Sequence, residues 1–223
     1  DKIEKGSTVS IDVAKRVDIA KSYPDTSIIS YSDVIEKITG PDSLNEDLCS
    51  AHGVGGTDLG IPFELPDGRM MLLYGDTFSG QNMQGIWHSN FMAITSDDKL
   101  SDGLTFDELV YNEDTNQVIP FAEGRHQGGN EFDKNVEVTK IPTGGISIGD
   151  DAYIFYMSIR YWGVGGSWVV TNSQCVKATD NTYKVWEPVT SLKWTEDELY
   201  YAAENQGVFL NNEKLELPKN VPL

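Results

Sequence analysis

Gly55-Gly56-Thr57-Asp58-Leu59-Gly60-Ile61-Pro62-Phe63-Glu64-Leu65-Pro66-Asp67-Gly68-Arg69-Met70-Met71-Leu72-Leu73-Tyr74-Gly75-Asp76-Thr77-Phe78 is the stretch on which the fold is decided. Apolar runs at 59–65 and 70–74 flank Pro66-Asp67-Gly68, the composition of two antiparallel strands joined by a tight turn. If the register is symmetric about the turn, Asp58, nine residues before Asp67, ends opposite Asp76, nine residues after it. Directly paired side chains have Cβ atoms about 4.5–5.5 Å apart. A bulge would shift the register and turn one carboxylate to the other face. Two acids meeting at the open end of a hairpin, with glycines around them and no Lys or Arg beside them, suit acid/base chemistry better than a salt bridge. The plainer reading is that each Asp caps a turn.

Working outward, the 223 residues carry 17 basic and 35 acidic side chains, a formal charge of -18. Such a surface repels phosphate backbones and anionic membranes, so nucleic acid is not an expected partner. No apolar run approaches the roughly 20 residues of a membrane span. The chain opens at Asp1 with neither an initiator Met nor a signal peptide, the look of a processed or trimmed sequence. Cys49 and Cys175 fit no metal spacing, and separation alone does not decide whether they pair.

Residues 1–50 read as a lead-in that packs on the main domain, with short strands expected at 9–13 and 27–31 and a helical turn opened by Asp33 and Glu36 and stopped at Gly40-Pro41. From Gly53 onward, short apolar runs are punctuated by Gly, Asn and Asp, the pattern of an all-β sandwich, barrel or propeller. A repeat favours the propeller. Leu72-Leu73-Tyr74-Gly75-Asp76 is echoed by Ile154-Phe155-Tyr156-Met157-Ser158, and Trp87-His88-Ser89-Asn90-Phe91 by Trp168-Val169-Val170-Thr171-Asn172-Ser173. Tyr74 to Tyr156 and Asn90 to Asn172 are both 82 residues apart. One blade takes about 40–50 residues, so the excess is a connection, with 112–140 an inserted loop of the kind that carries function. Residues 51–223 are thus expected to form a partial β-propeller, with a third blade starting near Leu199-Tyr200-Tyr201. Two to three blades leave open edges, which implies a missing C-terminal segment or a second chain completing the ring.

Several motifs in order carry a family resemblance: 38–41 leading to Gly55-Gly56-Thr57-Asp58-Leu59-Gly60, then Tyr74-Gly75-Asp76-Thr77-Phe78, Trp87-His88-Ser89-Asn90, Ile141-Pro142-Thr143-Gly144-Gly145 and Tyr156-Met157-Ser158-Ile159-Arg160-Tyr161-Trp162-Gly163. Over about residues 36–195 the chain resembles the family catalogued as domain of unknown function 4185, whose characterised members form glycoside hydrolase family 183, endo-acting D-arabinofuranases on a five-bladed propeller. The last blades of that family have no counterpart here. The resemblance implies a secreted or cell-surface enzyme that cleaves furanosidic linkages in D-arabinan, a cell-wall polysaccharide, and it places Asp58 and Asp76 in the two matching acidic motifs; no cofactor is expected.

Glycosidic cleavage needs a proton for the leaving oxygen and a nucleophile or activated water at the anomeric carbon, which two carboxylates can supply. Asp58 is assigned as base or nucleophile and Asp76 as acid, with the exchange of roles left open. Glu131, after Gly128-Gly129-Asn130, is an alternative acid, although an exposed loop Glu is ordinarily just solvated. His88 and Asn90 at a strand end could bind sugar hydroxyls or only complete local hydrogen bonds. Arg160 could pair with a catalytic carboxylate and Tyr161 or Trp162 could stack on a sugar face; the plainer reading is a surface Arg beside core aromatics. Thr143 joins the substrate-binding set through its motif. Trp186 and Trp194 are expected between blades. His52 and His126 lack a second ligand at metal spacing, so no zinc is expected; the acidic loops could hold calcium through Asp and backbone carbonyls, although no Asp-x-Asp-x-Asp-Gly loop occurs. The alternative function is a non-catalytic carbohydrate-binding or surface-recognition module, which needs aromatics and hydroxyl partners but no carboxylate of raised pKa.

Overall fold

The computed structural model describes residues 34–189, together with the main chain of three short strand segments at 194–195, 208–210 and 213–215. Residues 1–33, with the two strands expected there, and the third-blade segment at 199–201 lie outside the described residues. The helix falls later than expected. Residues 34–38 have no regular structure, Gly40 takes φ +84° ahead of Pro41, and α1 forms at Glu46–Ala51, where Glu46 and Asp47 put negative charge on its first turn. Asn45, at its start, does not cap it. Its amide donates to the carbonyls of Ile38 and Leu104 and its side-chain oxygen accepts the Phe106 N–H, so it ties residues 38–45 to the segment at 104–106.

The rest is antiparallel β, and the hairpin read from sequence is present. β1 (Gly56–Glu64) and β2 (Met70–Phe78) are joined by a turn closed by the Gly68 N–H to the Leu65 carbonyl at 2.9 Å, with Gly68 at φ +87°. β2 then pairs with β3 (Trp87–His88) and β4 (Phe91–Thr95), and β4 with β5 (Glu108–Leu109). β6 (Tyr111–Asn112) and β7 (Gln117–Val118) form a small hairpin at the head of the inserted segment. A second sheet repeats the meander: β8 (Thr139–Ile148), β9 (Asp151–Trp162), β10 (Trp168–Ala178) and β11 (Trp186–Pro188), with β12 (Trp194–Thr195) also on β10. β13 (Val208–Leu210) and β14 (Glu213–Leu215) form a further hairpin. The 82-residue echo is therefore a repeat of strand order: β1, β2, β4, β5 correspond to β8, β9, β10, β11. Its third strand is continuous in the second sheet and broken at Ser89-Asn90 in the first. Among the described residues the sheets do not close into a barrel.

Side-chain alternation places the core. On β2, Met71 and Leu73 enter one apolar cluster with Met92 and Ile94 of β4, while Leu72 and Tyr74 enter another with Phe91 and Ala93. The first cluster lies between the two sheets, taking Phe63 of β1, Ala152, Ile154 and Tyr156 of β9, Val176 and Trp186. Trp186 packs there as expected. The second lies on the other face of the first sheet with Cys49 of α1, Leu104 and Phe106. Removing one such side chain from water contributes about 1.5–3 kcal/mol. Gly145 on β8 lets Phe63 approach, since a Cβ there would lie 2.3 Å from its ring. The two cysteines are free and buried in separate places. No helix among the described residues is long and apolar enough to cross a membrane.

Candidate active site

The hairpin keeps its symmetric register at both ends, Gly56 with Phe78 and Thr57 with Thr77, then Ile61 with Leu73 through Glu64 with Met70. Between them it breaks. Leu59 pairs with Tyr74, so Asp58 alone spans the two residues Gly75 and Asp76, and a compensating slip at Gly60 restores the pairing. Leu59 takes φ +66°, a left-handed conformation unusual for a branched side chain, and Gly60 follows at φ +121°. This corrects the simple expectation that Asp58 and Asp76 pair directly. The irregularity instead seats the Asp58 carboxylate over Gly75, where an added Cβ would lie 2.3 Å from Asp58 Oδ1.

The two carboxyls have different surroundings. Trp87 Nε1–H donates to Asp76 Oδ1 at 2.9 Å, and the Thr139 hydroxyl of β8 donates to the same oxygen. Oδ2 takes no hydrogen bond from any described residue. Burial raises the Asp76 pKa, while the Thr139 and Trp87 donors and the His126 charge pull the other way. Asp58 has no side-chain donor among the described residues. Although the residue is exposed overall, burial of the carboxyl against the strand raises its pKa first and the neighbouring Asp76 charge raises it further. Among the described residues neither acid has a Lys or Arg partner, so two acids of raised pKa stand near enough for the Asp76 charge to act on Asp58.

A third acid, which sequence reasoning did not select, stands behind them. Glu123 Oε1 accepts the Ser89 N–H at 2.9 Å and meets His126 Nε2 at 2.6 Å, while Oε2 meets His88 Nδ1 at 3.1 Å. Burial opposes its ionisation, but the donors from His88, Ser89 and His126 prevail and hold the carboxyl down at about 2. The His126 ring lies 4.1 Å from that of Trp87, whose other neighbour is Phe78 at 5.7 Å. Glu123 carried no motif, and only its place three residues before His126 hinted at a link. No group of three or more His, Cys, Asp or Glu among the described residues is arranged to hold a metal ion.

The other expected residues divide. His88 joins the Glu123 cluster. Asn90 is fully buried, donating to the carbonyls of Ala122 and Lys140 at 2.7 and 3.0 Å, so it braces the inserted segment and presents nothing to a ligand. Arg160 is buried too. Its guanidinium donates to the carbonyls of Glu131 and Val170 at 3.0 and 2.9 Å, fastening the loop to β9 and β10 and correcting the surface reading. Glu131 is exposed on that loop, and Tyr161 packs beside Gly129. Trp162 is 43% exposed and faces Trp168 across the β9–β10 pair at 6.4 Å. Thr143 is exposed at a bulge in β8; the β8 threonine that reaches an acid is Thr139.

Fold and site together define an all-β protein of repeated antiparallel sheets with a coupled carboxylate pair at a broken hairpin. The chain belongs to the family described as Domain of unknown function (DUF4185), whose profile matches residues 44–215. No curated protein matches it. Among solved structures it is similar to a Bacteroides ovatus protein described as a "putative hydrolase", with 15% identity and a TM-score of 0.40 over 64% of this chain. The chain spans 40% of the length of that structure, a likeness too distant to carry an argument about function.

Proposed function

We propose that the protein is a glycoside hydrolase acting within D-arabinan-type cell-wall polysaccharide, secreted or at the cell surface, with Asp58 and Asp76 as its reacting carboxyls. The observation that carries the reading is the unequal treatment of two coupled acids. Two donors on Oδ1 stabilise Asp76 as the anion and leave Oδ2 without a donor among the described residues. Asp58, with no side-chain donor among the described residues and the Asp76 charge beside it, is the one whose neutral form is favoured. Asp58 then protonates the glycosidic oxygen as the bond to the anomeric carbon breaks, and Asp76 supplies the negative charge opposite, attacking that carbon or taking a proton from water. This takes the exchanged assignment that the sequence leaves open, Asp58 as the acid and Asp76 as the base or nucleophile. The substrate class rests on the family resemblance of the motifs around Asp58 and Asp76, and the ring of blades is completed by further sequence or a second chain.

The full-length gene product incubated with purified D-arabinan should release oligosaccharides, with linear α-glucan as the control. A second reading, a binding module without chemistry, is favoured by the exposed Trp162 and Trp168 pair, a surface suited to stacking on sugar rings. Retained arabinan binding with no release would select it.

A further inference from the structure

Behind the acid pair, four side chains from three separate parts of the chain form one connected path. Asp76 on β2 accepts from the Trp87 indole on β3; the His126 ring lies 4.1 Å from that indole; and His126 Nε2 is held by Glu123 at 2.6 Å. His126 itself takes φ +50°, the left-handed region uncommon outside Gly, Asn, Asp and His, and its N–H donates to the Val138 carbonyl at 3.0 Å. Glu123 is in turn anchored by the Ser89 N–H and by His88, and its main-chain carbonyl accepts Lys140 Nζ at 2.9 Å.

We infer that His126 is a positioning residue for Asp76: clamped by Glu123, it covers the Trp87 ring, fixes the indole N–H on Asp76 Oδ1, and brings to that carboxylate a polarisable ring able to carry positive charge. The charged and titratable groups around it are Glu123 on its own segment, His88 on β3, Asp76 on β2 with Asp58 beyond it on β1, and Lys140 on β8 paired with Glu137. An imidazolium near a carboxylate favours the ionised acid and a carboxylate favours the neutral one, so His126 and Glu123 act on Asp76 with opposite sign. The device deepens the proposed reaction, on which it rests, by naming what keeps Asp76 in the form that reaction needs.

The test does not use catalysis. The indole ¹H–¹⁵N resonance of Trp87, assigned by its loss in Trp87→Phe, reports both the hydrogen bond and, through its movement with pH, the ionisation of Asp76; Asp76→Asn identifies that step by removing it. In His126→Asn, which tolerates the left-handed main chain, the Asp76 midpoint should rise by about half a pH unit or more, and indole N–H exchange should quicken about fivefold or more. In Glu123→Gln the imidazole remains but its clamp is weakened, and exchange should quicken by less. His88→Asn, on the other Glu123 oxygen, should move the Asp76 midpoint less than His126→Asn does. An unchanged midpoint and exchange rate in a well-dispersed His126→Asn spectrum overturns the inference, as do equal shifts for the two histidines. If His126→Asn does not fold, unchanged exchange in Glu123→Gln decides against it. Any of these leaves the hydrolase reading standing, and absence of arabinan cleavage leaves this one standing.

Discussion

Asp58 and Asp76 are the same residue type made chemically unequal by what reaches them. The Thr139 hydroxyl and Trp87 N–H converge on one oxygen of Asp76, whereas the Asp58 carboxyl rests on the bare main chain of Gly75. Substituting either acid by Asn should lower kcat/KM on arabinan by about 10²–10⁴, the usual worth of a positioned proton-transfer group, with circular dichroism unchanged. Asp58→Asn also has a stability signature. A carboxyl whose folded pKa lies above its unfolded value weakens the folded state as pH rises through the unfolded and then the folded pKa. Wild type and variant should therefore have equal Tm below the ordinary Asp pKa, and the variant should be the more stable above the raised one. A Tm difference independent of pH would refute the raised pKa.

At the scale of elements, the site is made by a defect in a hairpin whose two ends are regular. Composition disclosed the strands, the Pro66-Asp67-Gly68 turn and the symmetric register, because these follow from local periodicity and turn chemistry. The slip at Leu59 and Gly60 was not legible, since two opposite shifts cancel and leave no trace in the spacing. Glu123 and Thr139 were missed for a related reason: they reach the site only through tertiary pairing, from an irregular segment and a neighbouring sheet. Asn90 stands out in the sequence at a strand end and Arg160 beside aromatics, but whether such a residue faces a ligand or the main chain of an inserted segment is a matter of burial. Gly75→Ala should leave the sheets intact and cost most of the activity, because the new methyl occupies the place of the Asp58 carboxylate; full activity would show that the carboxylate works from elsewhere. Asn90→Ala should lower stability by about 1–3 kcal/mol through carbonyls left without donors, measurable as a lower urea midpoint.

Across the whole molecule, the repeated meanders share one apolar layer, and the site lies where the first sheet, the second sheet and the inserted segment meet. Asp76 takes its donors from both sheets, which makes the docking of β8 against β1 and β2 a condition for the proposed chemistry. Ile154, fully buried in the shared layer, should cost about 2–5 kcal/mol when cut to Ala; a change below 1 kcal/mol in equilibrium unfolding would mean that the sheets do not pack as one body. The 82-residue echo was readable because both meanders need the same alternation, whereas the number of blades is not a property that one interface encodes.

The division of labour between the two acids is tested most directly by comparing Asp58→Asn and Asp76→Asn on arabinan and on an aryl arabinofuranoside whose leaving group needs no proton. Asp58→Asn should lose the polymer but keep substantial cleavage of the aryl substrate, while Asp76→Asn should lose both. Rescue of Asp76→Asn with loss of Asp58→Asn, or near-normal turnover of arabinan by either variant, would contradict that division.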